Sequence, residues 1–170
     1  MNKTRLFVID DNKCLVEMIK EFFKDNAEIM VAHCANDGEE AIRLIEAKQD
    51  EYDLILMDLI LPTKDGLSIL EYLNEKNIDK KVIVVTSYNT QDVIRRVSEY
   101  RVNYFLLKPY RLEDLEKRMK EVMIGVKYGS HTLDVFHNNL QICITKTLHE
   151  LGVPSHIKGY QYIREGITLV

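Results

Sequence analysis

The sequence predicts an α/β protein: a doubly wound parallel (βα)5 sheet followed by a short all-α segment. Three observations predict it. Over the first 124 residues, short β-branched runs alternate with segments of helical spacing. The runs are apolar almost without interruption, as suits parallel strands covered on both faces. The connections are short, which suits right-handed crossovers.

The elements follow in order. A first strand is expected over 5–9, and a first helix carries Leu15, Met18, Ile19, Phe22 and Phe23 at spacings of three and four. A second strand at 28–33 precedes a helix with Ala41, Leu44 and Ile45 on one face. A third strand at 53–57 precedes a helix with Leu67, Leu70 and Leu73. The fourth pair is a strand at 81–86 and a helix at 91–100, and the fifth a strand at 103–107 and a helix at 111–123. These ten elements make one domain, residues 1–124.

The composition changes near Gly125. The stretch GVKYGSH has two glycines and no period, so 125–134 reads as a linker. A helix is expected over 135–151, with Leu140, Ile144, Leu148 and Leu151 on one face and Gly152 and Pro154 to stop it. A second is expected over about 157–168. Two such helices bury too little for a core of their own, so 135–170 reads as the opening of an incomplete further domain.

The bulk numbers bound the class. Apolar residues make up 46% and charged residues 29% of 170, the balance of a soluble chain with a core. No apolar run approaches the roughly 20 residues that cross a bilayer, and the N-terminal one is too short for a secretory signal. A cytoplasmic location without membrane attachment is the expectation. The net charge is −4, with 24 acidic and 19 basic side chains in residues 1–124. That half is a poor nucleic-acid binder. Cys14, Cys34 and Cys143 fit no metal or disulfide spacing and are expected as reduced, mostly buried thiols.

In a doubly wound sheet the ligand site lies beyond the carboxyl ends of the strands. Asp10 and Asp11 follow the first strand, Asp58 ends the third, Thr86 ends the fourth and Lys108 follows the fifth. Singly, each has a plain explanation: an Asp at a strand end often caps a helix, and a Lys before Pro is often a solvated charge. Together they put three carboxylates, a hydroxyl and an ammonium on one rim. Two carboxylates about 4 Å apart repel by roughly 4 kcal/mol at an effective dielectric near 20, so the cluster calls for a cation. Mg²⁺ suits an all-oxygen set with one or two carboxylates. Asp58 could then attack phosphorus as carboxylates do in forming aspartyl phosphates, with Lys108 and the metal neutralising the transferring group.

The strings VIDDN, LILMDLILPTKDG, VIVVTS and FLLKPY resemble the response-regulator receiver domain, over residues 5 to about 124. The resemblance implies a flavodoxin-like receiver fold, in which Asp10, Asp11, Asp58 and the Ile60 backbone carbonyl hold Mg²⁺. It implies that Asp58 accepts phosphate from a histidine kinase or phosphotransferase, without turnover of a free substrate. It also implies phosphoryl contacts from Thr86 and Lys108, a switch formed by Thr86 and Phe105, and a cis bond at Lys108–Pro109. Tyr104 should point to the sheet face opposite Phe105. A phosphorylation-dependent homodimer through the fourth helix, fifth strand and fifth helix is a further family-level expectation.

The tail LHELGVPSHIKGYQYIREGITLV resembles the start of the effector domain of the stage-zero sporulation response regulators. This implies control of sporulation transcription. It also implies DNA binding only through a complete effector domain, because no recognition helix follows Gly166. Two rivals stay open. One is a receiver that relays or stores phosphate without DNA output. The other is a haloacid-dehalogenase phosphatase, which needs two aspartates separated by one residue, whereas Asp10 and Asp11 are adjacent.

Overall fold

The computed structural model describes residues 3–87, 91–125 and Gly152. The expected linker after Gly125 and the helices at 135–151 and 157–168 lie outside the described residues, Gly152 apart. The order is β1 (Thr4–Ile9), α1 (Lys13–Phe23), β2 (Ile29–Ala35), α2 (Gly38–Ala47), β3 (Leu54–Asp58), α3 (Gly66–Glu75), β4 (Lys81–Thr86), α4 (Gln91–Ser98), β5 (Tyr104–Leu107) and α5 (Leu112–Met123). A short 3₁₀ turn, Gln49–Glu51, leads into β3.

The five strands form one parallel sheet in the order β2-β1-β3-β4-β5. The chain moves outward from β1 to β2, then returns and winds the other way through β3, β4 and β5. The reversal lies between β1 and β3, which is where a doubly wound sheet opens a crevice.

Strand alternation sorts the core into two layers. Phe7, Ile9, Ile55, Met57, Val82, Val84, Phe105 and Leu107 face α2, α3 and α4, and pack on Ala41, Ile45, Ile69, Leu70, Leu73, Ile94 and Val97. Leu6, Val8, Leu54, Leu56, Ile83, Val85 and Tyr104 face α1 and α5, and pack on Val16, Ile19, Phe23, Leu115, Met119 and Val122. Each large side chain taken out of water contributes about 1.5–3 kcal/mol. Both faces of the central strands are therefore covered, while the edge strand β2 stays partly exposed and the strand tips reach water.

Three helices start at side-chain caps. Asn12, Asp37 and Asp65 accept from the N–H groups of Leu15, Glu40 and Ser68 respectively. Each cap satisfies one orphan donor of the first turn. They also fix where the connecting loops end, and two of those loops leave directly from the strand tips that carry Asp10 and Asp58.

The structure corrects three details. β2 runs to Ala35, beyond the expected 28–33, because His33, Cys34 and Ala35 pair with Phe7, Val8 and Ile9 after a register shift at Leu6/Phe7. That extension depends on a neighbour strand, not on local propensity. α4 ends at Ser98, short of Tyr100. Cys14 is exposed and Cys34 half-buried, so the described thiols are free but not core residues. Cys14 lies in the first turn of α1, off the stripe of Val16, Ile19 and Phe23 that meets the sheet.

Ile55 is fully buried between its neighbours, whereas Met18 is 59% exposed on α1. Ile55→Ala is expected to lower the unfolding free energy by about 2–5 kcal/mol. Met18→Ala should change it by no more than about 0.5 kcal/mol. Urea denaturation of both variants measures the contrast, and comparable losses would contradict this assignment of the core.

Candidate functional site

Strand register brings the polar residues together. Ile9 pairs with Met57, so the next residue on each strand, Asp10 and Asp58, emerges side by side. Asp58 pairs with Val85, and Thr86 pairs with Leu107, the residue before Lys108. Asp58 is in step with Leu54 and Leu56, on the α1/α5 face, and Thr86 is in step with Val82 and Val84, on the α3/α4 face. The acid and the hydroxyl thus leave adjacent strands on opposite faces of the sheet.

Asp10 and Asp58 are only 2% and 5% exposed, and Thr86 is 0% exposed. Isolated carboxylates do not survive such burial as charges. Lys108 supplies the compensation. Its Nζ donates to Asp10 Oδ2 at 2.7 Å and to Asp58 Oδ2 at 2.6 Å. The remaining oxygens are also used: the Asn12 N–H donates to Asp10 Oδ1 at 2.9 Å and the Ile60 N–H to Asp58 Oδ1 at 3.0 Å. Burial pulls the Lys108 pKa down, but the hydrogen bonds and charges of Asp10 and Asp58 outweigh it and leave the ammonium above its ordinary value. The Lys108–Pro109 peptide is cis, and the Lys108 N–H donates to the Thr86 carbonyl at 2.9 Å, tying the tips of β4 and β5 together.

The structure therefore gathers Asp10, Asp58 and Lys108 into direct contact, with Thr86 on the adjacent tip. Asp11 is exposed beside them. Among the described residues, no three His, Cys, Asp or Glu side chains close around a common point. Lys108 fills the centre of the acidic pair, and adjacent residues at the end of a strand project to opposite sides. Ile60 presents its N–H to Asp58, while the residue as a whole is 47% exposed. Phe105 is fully buried in the α3/α4 layer, and Tyr104 packs in the α1/α5 layer, on the other face. The site offers hard oxygen donors, one ammonium paired to both acids and a carboxylate held by a backbone donor. That set can bind a hard cation and engage a phosphoryl group.

Sequence reasoning missed Tyr110. Its hydroxyl is buried without a hydrogen-bond partner among the described residues. Burial first, then the charges of Asp10 and Asp58, push its pKa up. The only signal in the sequence was an aromatic two places after the lysine, which ordinary packing explains equally well. It also missed the seat of the loop 59–65 on α2, because that contact joins segments distant in sequence.

Comparison with known proteins places this geometry. Residues 6–120 match the family model "Response regulator receiver domain", and residues 144–170 match "Sporulation initiation factor Spo0A C terminal". Among solved structures, the chain is similar to the receiver domain of the Francisella response regulator 1452, at 29% identity and a TM-score of 0.62, covering 69% of this chain and 94% of that one. It shares its fold with the signal receiver domain of the response regulator NarL from Mycobacterium tuberculosis, at 22% identity and a TM-score of 0.67, covering 74% and 99%. It also shares it with a CheX-CheY-BeF3-Mg²⁺ complex from Borrelia burgdorferi, at 20% identity and a TM-score of 0.65, covering 71% and 89%. A parallel five-stranded sheet with its acidic pair and lysine at the switch point, over a stretch matched for most of its length, means that the chain belongs to the response regulator receiver domain family.

Proposed function

We propose that this chain is a phosphorylation-controlled switch of a two-component system or phosphorelay governing sporulation transcription, with Asp58 as the phosphoryl acceptor. One observation carries the reading: two nearly buried carboxylates on neighbouring strand tips share a single lysine ammonium. Such a charge arrangement adds little net stability over an apolar one and is a mark of a functional site. The match of residues 144–170 to the sporulation factor's C-terminal region supports the biological setting.

The phosphodonor is a phosphohistidine on a kinase or phosphotransferase. An Asp58 carboxylate oxygen attacks phosphorus. An O–P bond forms as the donor's P–N bond breaks, and the imidazole nitrogen leaves with the electron pair. Lys108 keeps Asp10 and turns its second hydrogen bond to the new phosphoryl oxygens. Thr86 offers its hydroxyl to another of them. Its movement away from the α3/α4 layer opens room for repacking around Phe105, which carries the signal to α4, β5 and α5. The mixed charges on α4, such as exposed Asp92 and Arg95, permit a two-fold pair of phosphorylated chains through that surface.

Mg²⁺ is the ion this donor set fits, since two carboxylates and a carbonyl are hard oxygens and Mg²⁺ is satisfied with one or two carboxylates. Asp10 and Asp58 would hold it, with Asp11 and the Ile60 carbonyl beside them. When bound it would offset the charge of the transferring phosphoryl group. The Borrelia complex, prepared with BeF3 and Mg²⁺, supports this choice. The chain turns over no free phosphomonoester, because its product is its own modified Asp58. Among the described residues no helix is long and apolar enough to cross a membrane, and we assign the chain to the cytoplasm.

Incubation with acetyl phosphate and Mg²⁺ should add one phosphoryl group by intact mass. Asp58→Ala or EDTA should abolish it, and labelling that persists in Asp58→Ala would remove the assignment. Lys108→Met should cost about 3 kcal/mol of stability at neutral pH by leaving two buried carboxylates without their cation, and should slow phosphorylation at least tenfold. Because the folded Lys108 pKa lies above 10.5, its stabilisation is complete below about pH 10.5 and is lost as pH rises through the folded value. Wild-type and Lys108→Met unfolding curves should therefore differ from pH 7 to 10 and converge only in stronger alkali.

A further inference from the structure

The loop 59–65, which follows Asp58, is anchored to the start of a different helix. The Gly38 N–H at the head of α2 donates to the Pro62 carbonyl at 3.1 Å. The Thr63 hydroxyl donates to Asp37 Oδ1 at 3.2 Å and accepts from the Glu39 N–H at 3.1 Å. A Cβ at Gly38 would stand 2.0 Å from the Lys64 carbonyl oxygen, so only glycine lets the two backbones approach this closely. At its far end the loop closes with the Gly66 N–H on the Leu59 carbonyl at 2.9 Å. Ile60, whose N–H holds Asp58 Oδ1, lies between these two fixed points.

Thr63 bears the cost of this seat. Its φ is 67°, a left-handed conformation that a β-branched residue rarely adopts. Yet its side chain is exposed, so no core contact holds it there. The Lys64 N–H on the Pro62 carbonyl at 2.8 Å closes a tight turn around it, and the bonds to Asp37 and Glu39 seat that turn on α2. The Asp37 carboxyl is kept below its ordinary range, first by the Glu40 N–H and also by the Thr63 hydroxyl, so it remains a charged acceptor. Strain maintained at an exposed residue of the loop that follows the candidate acceptor is the pattern of a functional constraint.

We propose that Thr63, seated on Asp37 and Gly38, is a positioning residue for Asp58: it fixes the Ile60 backbone so that the carboxylate is oriented before metal and phosphodonor arrive. This rests on Asp58 being the acceptor. Thr63 acts through Ile60 and touches no phosphoryl oxygen. Because its strain and its bonds oppose each other in stability, its effect on stability and its effect on the site separate.

Thr63→Gly tests that separation in the full chain. It relieves the left-handed strain and removes the hydroxyl. The melting temperature should stay level or rise, while the Mg²⁺ concentration for half-maximal phosphorylation by acetyl phosphate rises about tenfold or more. Amide exchange at Ile60 should quicken in the metal-free chain. Thr63→Ser should return the Mg²⁺ requirement and the exchange towards wild type. Gly38→Ala, which pushes the seat apart, should match Thr63→Gly in Mg²⁺ requirement wherever it folds. A wild-type Mg²⁺ requirement and Ile60 exchange in Thr63→Gly would overturn the proposal. So would a loss that follows a drop in melting temperature and is not rescued by serine. Should wild type take no phosphoryl group on Asp58, the acceptor assignment itself fails, and unchanged Ile60 exchange would separately dispose of the seat.

Discussion

One ammonium stands between two carboxylates that are almost wholly removed from water, and the rest of the strand-tip architecture depends on that contact. Two nearly buried acids and a half-buried ammonium compensate one another's loss of water through their paired contacts. The three groups come from β1, β3 and the end of β5, so their meeting requires the parallel sheet to be complete. The arrangement is also poised to change. An ion or a phosphoryl group entering beside Asp58 alters the charge that Lys108 answers, without any need to unfold the layers beneath.

The layers beneath supply direction. Asp10, Asp58 and Lys108 lie on the α1/α5 side of the strand tips, while Thr86 and Phe105 belong to the α3/α4 side. A short backbone link joins the tips: the Lys108 N–H on the Thr86 carbonyl, with the pairing of Thr86 and Leu107 next to it. A charge event on one face therefore has a stiff route to packing on the other. Close-packed cores do not deform smoothly, and under the proposed function a movement at Thr86 would be met by repacking of a neighbour such as Phe105.

Loop 59–65 adds a constraint of another kind. It orients Asp58 through the Ile60 N–H, but its own conformation is set by α2, an element with no residue in the acidic pocket. Gly38 and Thr63 serve this junction in complementary ways: one by having no side chain where a backbone passes, the other by holding a left-handed backbone through its hydroxyl.

The sequence by itself determined the layers and the chemical cast. Unbroken apolar runs such as LILM before Asp58 and VIVV before Thr86 report burial on both faces, and burial on both faces in alternation with helices leaves few topologies. It equally determined that acids, hydroxyl and lysine end their strands. Only the tertiary structure decided which of these meet. Asp10 and Asp58 share Lys108 while Asp11 turns outward, because register and alternation beyond a strand's last residue are set by the neighbouring strand. The same pairing lengthened β2 to Ala35. The buried Tyr110 hydroxyl and the seat of Thr63 on Asp37 were illegible in the sequence for a related reason: they arise from distant segments packed together, and a local pattern carries no record of what the chain meets when it folds.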